Sequence, residues 1–374
     1  MTVKICHVTS AHNTNDVRIL KKECTSLAKN KEYEVYLVGQ GDSYIYKNVN
    51  VVGVGALPNN RFKRMSEFAK KVVDEALKID ADIYHLHDPE LLRLAEKFKY
   101  EGKKVIFDSH ENVLDSIEEK TYMPIMVRKI FKIYYKRLQK RVLPRIDGII
   151  VVSPQMIDIY KEYNENIALI TNYPILDQSQ KVQMDSDATF VKGRFIFAGG
   201  ISEQWSHREI INAIDEIDGV EYRLFGPADE EYLAELKKMS GWSKVYYGGK
   251  ISYEEVQEEM KKAQFAFALL KPSRNSFYRQ GTLGNTKLFE AMGNGKPVIA
   301  TDFDLWKPIV EENECGVCVD SVDENAIRKG IKRLLQLSEN EYFLMAENCR
   351  ESIFSNYNWE IAEKKLFGFY DALI

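Results

Sequence analysis

Apolar and polar positions along the chain fall into two alternating patterns. Short apolar runs bounded by polar or glycine residues predict strands at 5–8, 34–38, 83–86, 104–107 and 148–152. Between them, apolar residues recur every three or four positions and predict helices over 17–29, 62–79, 89–100 and 126–143. Residues 171–192 are polar and aperiodic and read as a connection. The alternation then restarts with strands at 195–198, 222–225, 245–247 and 265–270 and helices over 208–217, 231–239 and 253–262. The stretch 284–302, GNTKLFEAMGNGKPVIATD, holds a loop, a helix over 287–292, a turn at Asn294-Gly295 and a buried strand over 297–300. An amphipathic helix over 359–373 closes the chain. Strand–helix alternation of this kind predicts an α/β protein with two doubly wound, Rossmann-like domains, 1–175 and 190–358, facing each other across a cleft.

Length and composition agree with two soluble domains. The chain has 374 residues, 45% of them hydrophobic and 29% charged, with a net charge of −4. That balance argues against a nucleic-acid partner. Five scattered cysteines make no disulfide framework. Cys315-Gly-Val-Cys318 has zinc-like spacing but no second pair, and reads as buried strand thiols. The N-terminus opens directly on a strand, and no apolar run nears the roughly 18 residues of a spanning helix. The expected location is cytoplasmic.

Candidate chemistry in the first half gathers at strand ends. Five of the six histidines are His7, His12, His85, His87 and His110. His85-Leu-His87-Asp88 and Asp108-Ser-His110 each follow a predicted strand, where side chains reach a ligand crevice. His85 and His87 share one face of an extended strand and could co-ligate a metal, but the reading favours no metal site. The first strand–helix loop, around Ser10 to Arg18, lacks the glycine-rich dinucleotide fingerprint. Asp16 is a candidate N-cap, and Asp16 and Arg18 either hold that loop or touch a ligand.

In the second half, Gly199 and Gly200 end a strand and let main-chain amides approach phosphate. Lys287 lies at the start of its helix, beside a predicted anion site. Glu290, one turn on, can accept hydrogen bonds from a pair of sugar hydroxyls.

The stretch 284–302 resembles the donor-binding segment of the retaining GT-B glycosyltransferases of family four, in which a helix like NTKLFEAM precedes a strand like GKPVIATD. The family's motif has two glutamates separated by seven residues. Glu290 matches the second, and the first would fall at Thr282. The resemblance implies a retaining transferase that moves a sugar from a nucleotide-diphosphate sugar to a glycan or lipid-linked acceptor, in cell-surface polysaccharide synthesis. It implies no cofactor and no metal. It gives Lys287 the diphosphate, Glu290 the ribose and His110 the donor sugar. Gly199, Gly200, Arg274, Asn285, Thr286 and Leu288 would complete the donor site, with Lys250 and Ile251 at the base. The family's usual arginine after the first glycine is Gly200 here, so Arg208 and Lys287, helped by Lys271, Arg274 and Arg279, are expected to substitute. His12, Asp16, Arg18, His87 and Asp88 would lie on the acceptor side. The resemblance also implies that the helix over 359–374 packs back on the first domain. The alternatives are a nucleotide-sugar epimerase on the same fold, or an inert sugar-nucleotide-binding partner subunit.

Residues 126–145 stand apart. Arg128, Lys129, Lys132, Lys136, Arg137, Lys140, Arg141 and Arg145 interleave with apolar residues, and no acid occurs between Glu119 and Asp147. Such a helix suits either an anionic membrane surface or a solvated domain face. The resemblance favours peripheral contact with the inner face of the cell membrane.

Overall fold

A computed structural model describes residues 2–120, 122–176 and 190–374. It divides into two compact units, Met1–Asn172 with Trp359–Ile374, and Tyr173–Asn358. Of the connection expected over 171–192, the portion 177–189 lies outside the described residues.

The first unit is built on an eight-stranded sheet. Its strands are β1 (Val3–Asn13), β2 (Tyr33–Gln40), β3 (Tyr44–Tyr46), β4 (Val49–Gly53), β5 (Ile83–Leu86), β6 (Lys104–Ser109), β7 (Gly148–Val151) and β8 (Ile167–Leu169). They lie in the order β3-β4-β2-β1-β5-β6-β7-β8, and all pair in parallel except β3 with β4. The inner strands are covered on both faces, so Ile5, Val8, Ile83, Leu86 and Ile106 are buried. Each such side chain contributes roughly 1.5–3 kcal/mol. The chain works outward from β1 through β2 to β4, then returns to β5 on the other side of β1. Loops leaving β1 and β5 therefore diverge and open a crevice at their carboxyl ends. The C-terminal helix Trp359–Asp371 belongs to this unit. Its Trp359 Nε1 donates to Ser26 Oγ at 2.9 Å, and its Tyr370 hydroxyl meets His85 Nδ1 at 2.8 Å.

The second unit holds a six-stranded parallel sheet of β9 (Arg194–Ala198), β10 (Glu221–Phe225), β11 (Val245–Tyr247), β12 (Phe265–Ala268), β13 (Val298–Thr301) and β14 (Gly316–Val319). The order is β11-β10-β9-β12-β13-β14, with the reversal between β9 and β12. Phe195 packs against Phe265 and Phe267 with ring centroids 5.0 and 4.8 Å apart. Trp306 is fully buried beneath the loop that precedes the Lys287 helix.

The predicted strands and most predicted helices are present, with ends shifted by a few residues. The helix expected over 17–29 differs in kind. Val17–Cys24 is wound wide, with bonds such as Lys21 N–H to Asp16 O and Thr25 N–H to Leu20 O spanning five residues. The hairpin β3–β4 was not expected, because its two-residue turn is made by Lys47 and Asn48 at φ 45° and 66°, without the usual glycine. The sequence reading also omits the helices Val113–Glu119, Pro154–Lys161, Glu324–Leu335 and Glu339–Asn356. The last carries a legible start signal, since Ser338 and Glu341 form a reciprocal capping box. Cys315, just before β14, is buried, whereas Cys318 within it is only half-buried, so the expected pair of buried strand thiols is met in part. Among the described residues no helix is long and apolar enough to cross a membrane.

Candidate active site

The turns after β9, β10 and β11 form a ledge of glycine main chain beside the reversal in the second sheet. The Gly199 N–H donates to Phe225 O at 2.9 Å, and the Gly226 N–H to Gly249 O at 2.7 Å. Gly226 has φ +138°, and a Cβ there would lie 1.8 Å from Gly199 O. Only glycine lets these neighbouring turns touch. An added Cβ at Gly200 or Gly249 would meet nothing within 4 Å, so both stand open.

Lys287 lies on this ledge. A Cβ at Gly199 would come 2.9 Å from Lys287 Cε, which places the lysine stem directly over that glycine. Lys287 Nζ is 3.1 Å from Glu290 Oε2, and both side chains keep about a third of their surface exposed (29% and 34%). The helix Lys287–Gly293 is short, and Asn285 Oδ1 accepts the Lys287 N–H at 2.9 Å. This corrects the expectation of a free first-turn amide there. Positive charge at this end comes from the ammonium rather than from the first amide.

The other expected donor residues divide. Lys250 is exposed, and Ile251 is half-buried against the core in the turn after β11. Leu288 is fully buried, so its side chain belongs to the core and only its main chain is left for a ligand. Arg208 pairs with Glu235 at 2.7 Å and Lys271 with Glu209 at 2.6 Å. Arg208 and Lys271 are therefore already engaged by acids. Arg274 is exposed. Its loop carries consecutive left-handed residues, Phe277 at φ 54° and Tyr278 at φ 53°. Strain of this sort gathers where a loop must present particular groups. Thr282, at the missing glutamate, accepts from the Gly284 N–H at 3.1 Å and, through its carbonyl, from Trp306 Nε1 at 2.8 Å.

In the first unit the crevice between β1 and β5 gathers His12, His87, Asp88 and His110. Asp88 is buried and accepts from the Ser10 N–H at 2.6 Å, the Thr9 hydroxyl at 2.8 Å and the Ala11 N–H at 3.1 Å. His12 Nδ1 lies 2.8 Å from its other oxygen. Burial alone would raise the Asp88 pKa, but these partners draw it down to about 2. Burial opposes charge on His12, yet Asp88 raises its pKa. His12 and His110 present partly open rings 5.1 Å apart.

Asp16 caps the wide helix by accepting the Arg18 and Ile19 N–H groups at 2.8 and 3.0 Å. Arg18 is buried. It donates twice to Asp108 at 3.0 Å and once to Ile170 O at 3.0 Å, and it lies 3.0 Å from Glu23. Arg18 thus ties the end of that loop to β6 and to the segment after β8. His110 Nε2 meets Asp108 Oδ2 at 3.0 Å. Burial would raise the Asp108 pKa, but Arg18 and His110 hold it well below the usual range. His87 is buried behind this layer, and burial lowers its pKa to about 4. Burial likewise drives His7 and His85 well below the ordinary histidine value.

Glu23 and Tyr370 were not singled out from the sequence, and Asp108 was noted only beside His110 at its strand end. Arg18 and Glu23 are five residues apart, which separates them on an ordinary helix and aligns them on a wide one. A signal was present nonetheless: an acid and a base inside an otherwise buried helix face demand partners.

With this geometry in hand, the comparisons agree. Residues 17–173 match the model described as Glycosyltransferase Family 4, and residues 192–337 the model described as Glycosyl transferases group 1. The chain belongs to the family-four glycosyltransferases, and its two parallel-sheet units are the Rossmann-like domains of the GT-B fold. It is similar to an uncharacterized glycosyltransferase of Methanocaldococcus jannaschii, 21% identical over 298 residues, 74% of this chain and 70% of that one. Among solved structures it is similar to sucrose-phosphate synthase from Thermosynechococcus elongatus, with a TM-score of 0.75 at 16% identity over 99% of each chain. It is also similar to Anabaena HepE in complex with UDP and glucose, with a TM-score of 0.69 at 14% identity over 99% of this chain and 100% of that one. These structural likenesses establish the fold. The chain is an enzyme of the glycosyltransferase class.

Proposed function

We propose that this glycosyltransferase takes a nucleotide-diphosphate sugar as donor and transfers the sugar, with retention of configuration, to a hydroxyl of a glycan or lipid-linked acceptor. A uridine diphosphate sugar is the first candidate, because HepE is held with UDP and glucose. The observation that carries the reading is Lys287 lying over Gly199 beside Glu290, next to the open main chain at Gly200. Charge on the departing diphosphate meets the ammonium of Lys287 and the open main chain at Gly200, and such preorganised donors are usually the largest catalytic contribution. Glu290 accepts from ribose hydroxyls, and the turn at Lys250 and Ile251 meets the base. Asn285, Thr286 and Arg274 shape the pocket rim. His110 orients the donor sugar, with its Nε2 side held by Asp108. His12, oriented by Asp88, faces the acceptor. His87 supports these rings from behind, and Asp16 and Arg18 fix the loop that carries His12. No metal is asked to hold the diphosphate, and no cofactor is needed.

The acceptor reading is supported by Ile125–Val142. Its Ile130 and Ile133 are 63% and 53% exposed among exposed Lys129, Lys136 and Arg137. A groove of 540 Å³ lined by Ile117, Val127, Phe131 and Leu138 runs beneath it. We infer an anionic membrane surface as the docking place and surface-polysaccharide assembly as the setting.

The test is donor turnover and UDP binding by the Lys287→Ala enzyme. A loss of about 10²–10³ in rate is expected. Unchanged turnover would remove Lys287, and with it the donor reading.

A further inference from the structure

Behind the crevice of the first unit, His7, Glu23, His85 and His87 each offer one ligand atom, all within 4.8 Å of one another, and all four residues are buried. His7 on β1 stands in register with His85 on β5, and His87 shares its face. His7 Nδ1 lies 2.9 Å from His87 Nε2, and each lies 3.9 Å from Glu23 Oε2. Ligand atoms about 2.0–2.1 Å from a tetrahedral zinc ion are separated by about 3.3 Å, so these spacings bracket the requirement.

Two further observations point to a ligand. Glu23 Oε2 and His85 Nε2 are buried and have no hydrogen-bond partner. Burying such atoms unpaired is costly. In addition, the far sides of the rings are already held. His85 Nδ1 meets the Tyr370 hydroxyl at 2.8 Å, and His87 Nδ1 faces Asp108 Oδ2 at 3.4 Å. A carboxylate or hydroxyl behind a ligating imidazole is the usual support for a metal-bound histidine. Arg18 lies 3.0 Å from Glu23 Oε1, and Asp108 takes two of its N–H groups. Asp108 and Glu23 together thus offset Arg18 and one of the two charges of an ion.

We propose that His7 Nδ1, His85 Nε2, His87 Nε2 and Glu23 Oε2 bind one divalent transition-metal ion, zinc by ligand chemistry, as a structural brace. The ion joins β1, β5 and the wide helix. Tyr370 extends the brace to the C-terminal helix. It sits in the first unit's interior and takes no part in holding the diphosphate.

Metal content of the full-length chain tests this without reference to turnover. The chain is expected to hold about one zinc per molecule through dialysis against a chelator and to release it on unfolding. Refolding with cobalt(II) should produce the visible absorption of a tetrahedral site, and refolding with zinc should raise Tm over refolding in chelator. Glu23→Gln and His85→Gln should each lower retained zinc at least about tenfold. Should a variant fail to fold, the zinc and cobalt measurements on the unaltered chain decide. Zinc below about a tenth of an equivalent after refolding in its presence, with only the spectrum of aqueous cobalt, would overturn the site.

Discussion

Lys287 Nζ lies 3.1 Å from Glu290 Oε2 while its stem crosses Gly199 at the end of β9. The pair joins the helix start to the reversal in the second sheet. It also keeps the lysine extended over the ledge, since the salt bridge and the glycine hold it from two sides.

Gly199→Ala should therefore act on the donor more than on the fold. The new Cβ displaces a flexible lysine stem and presses on the buried Phe197 ring at 3.1 Å, at a cost of about 1–2 kcal/mol. We expect KM for the nucleotide sugar to rise about tenfold with a small fall in Tm. Gly226→Ala is the contrast, because its Cβ meets main chain at 1.8 Å. It should cost about 2–4 kcal/mol. Thermal melts and donor kinetics on both variants separate the two effects.

Arg18→Met should destabilise the first unit by about 3–5 kcal/mol, because it strands Asp108 and Glu23 as buried carboxylates. Arg18→Lys should recover only part of this, since an ammonium cannot reproduce the two-pronged contact with Asp108. Urea unfolding of both variants is the measurement. A wild-type midpoint for Arg18→Met would show that the buried charges compensate in some other way.

His207 sets an acid limit on the second unit. It is buried, with Nδ1 2.9 Å from the Tyr222 hydroxyl, and burial, with Lys271, lowers its pKa to about 3. The unfolded chain binds this proton near pH 6.5 and the folded chain near 3, so the unfolded state holds more protons between those values. Stability present above about pH 6.5 is then lost as pH falls toward 3, by up to about 5 kcal/mol. His207→Gln should flatten that slope. An unaltered pH profile in the variant would discount the histidine.

Membrane contact predicts a salt-dependent signal. Ile130→Glu with Ile133→Glu should abolish sedimentation with anionic vesicles while leaving Tm within about 2 °C, because both side chains are exposed. Raising salt to about 1 M should weaken binding of the unaltered chain. Equal sedimentation of variant and wild type would place the lipid contact elsewhere.

By itself, the chain determined the two α/β halves, the order of their main strands and helices, and the segment that marks the family. Those features rest on local periodicity and on runs such as KLFEAM, whose chemistry is carried by neighbours in sequence. Tertiary structure alone decided which charges do what. Arg208 went to Glu235 and Lys271 to Glu209, because side chains from separate elements compete for one partner and spacing records none of that competition. The buried layer of His7, Glu23, His85, His87 and Asp108 draws on β1, β5, β6 and a helix wound five residues per bond. No single stretch contains that layer, and a reading at 3.6 residues per turn sends Arg18 and Glu23 to different faces. Only folding brings the strand ends together and shows what the histidines enclose.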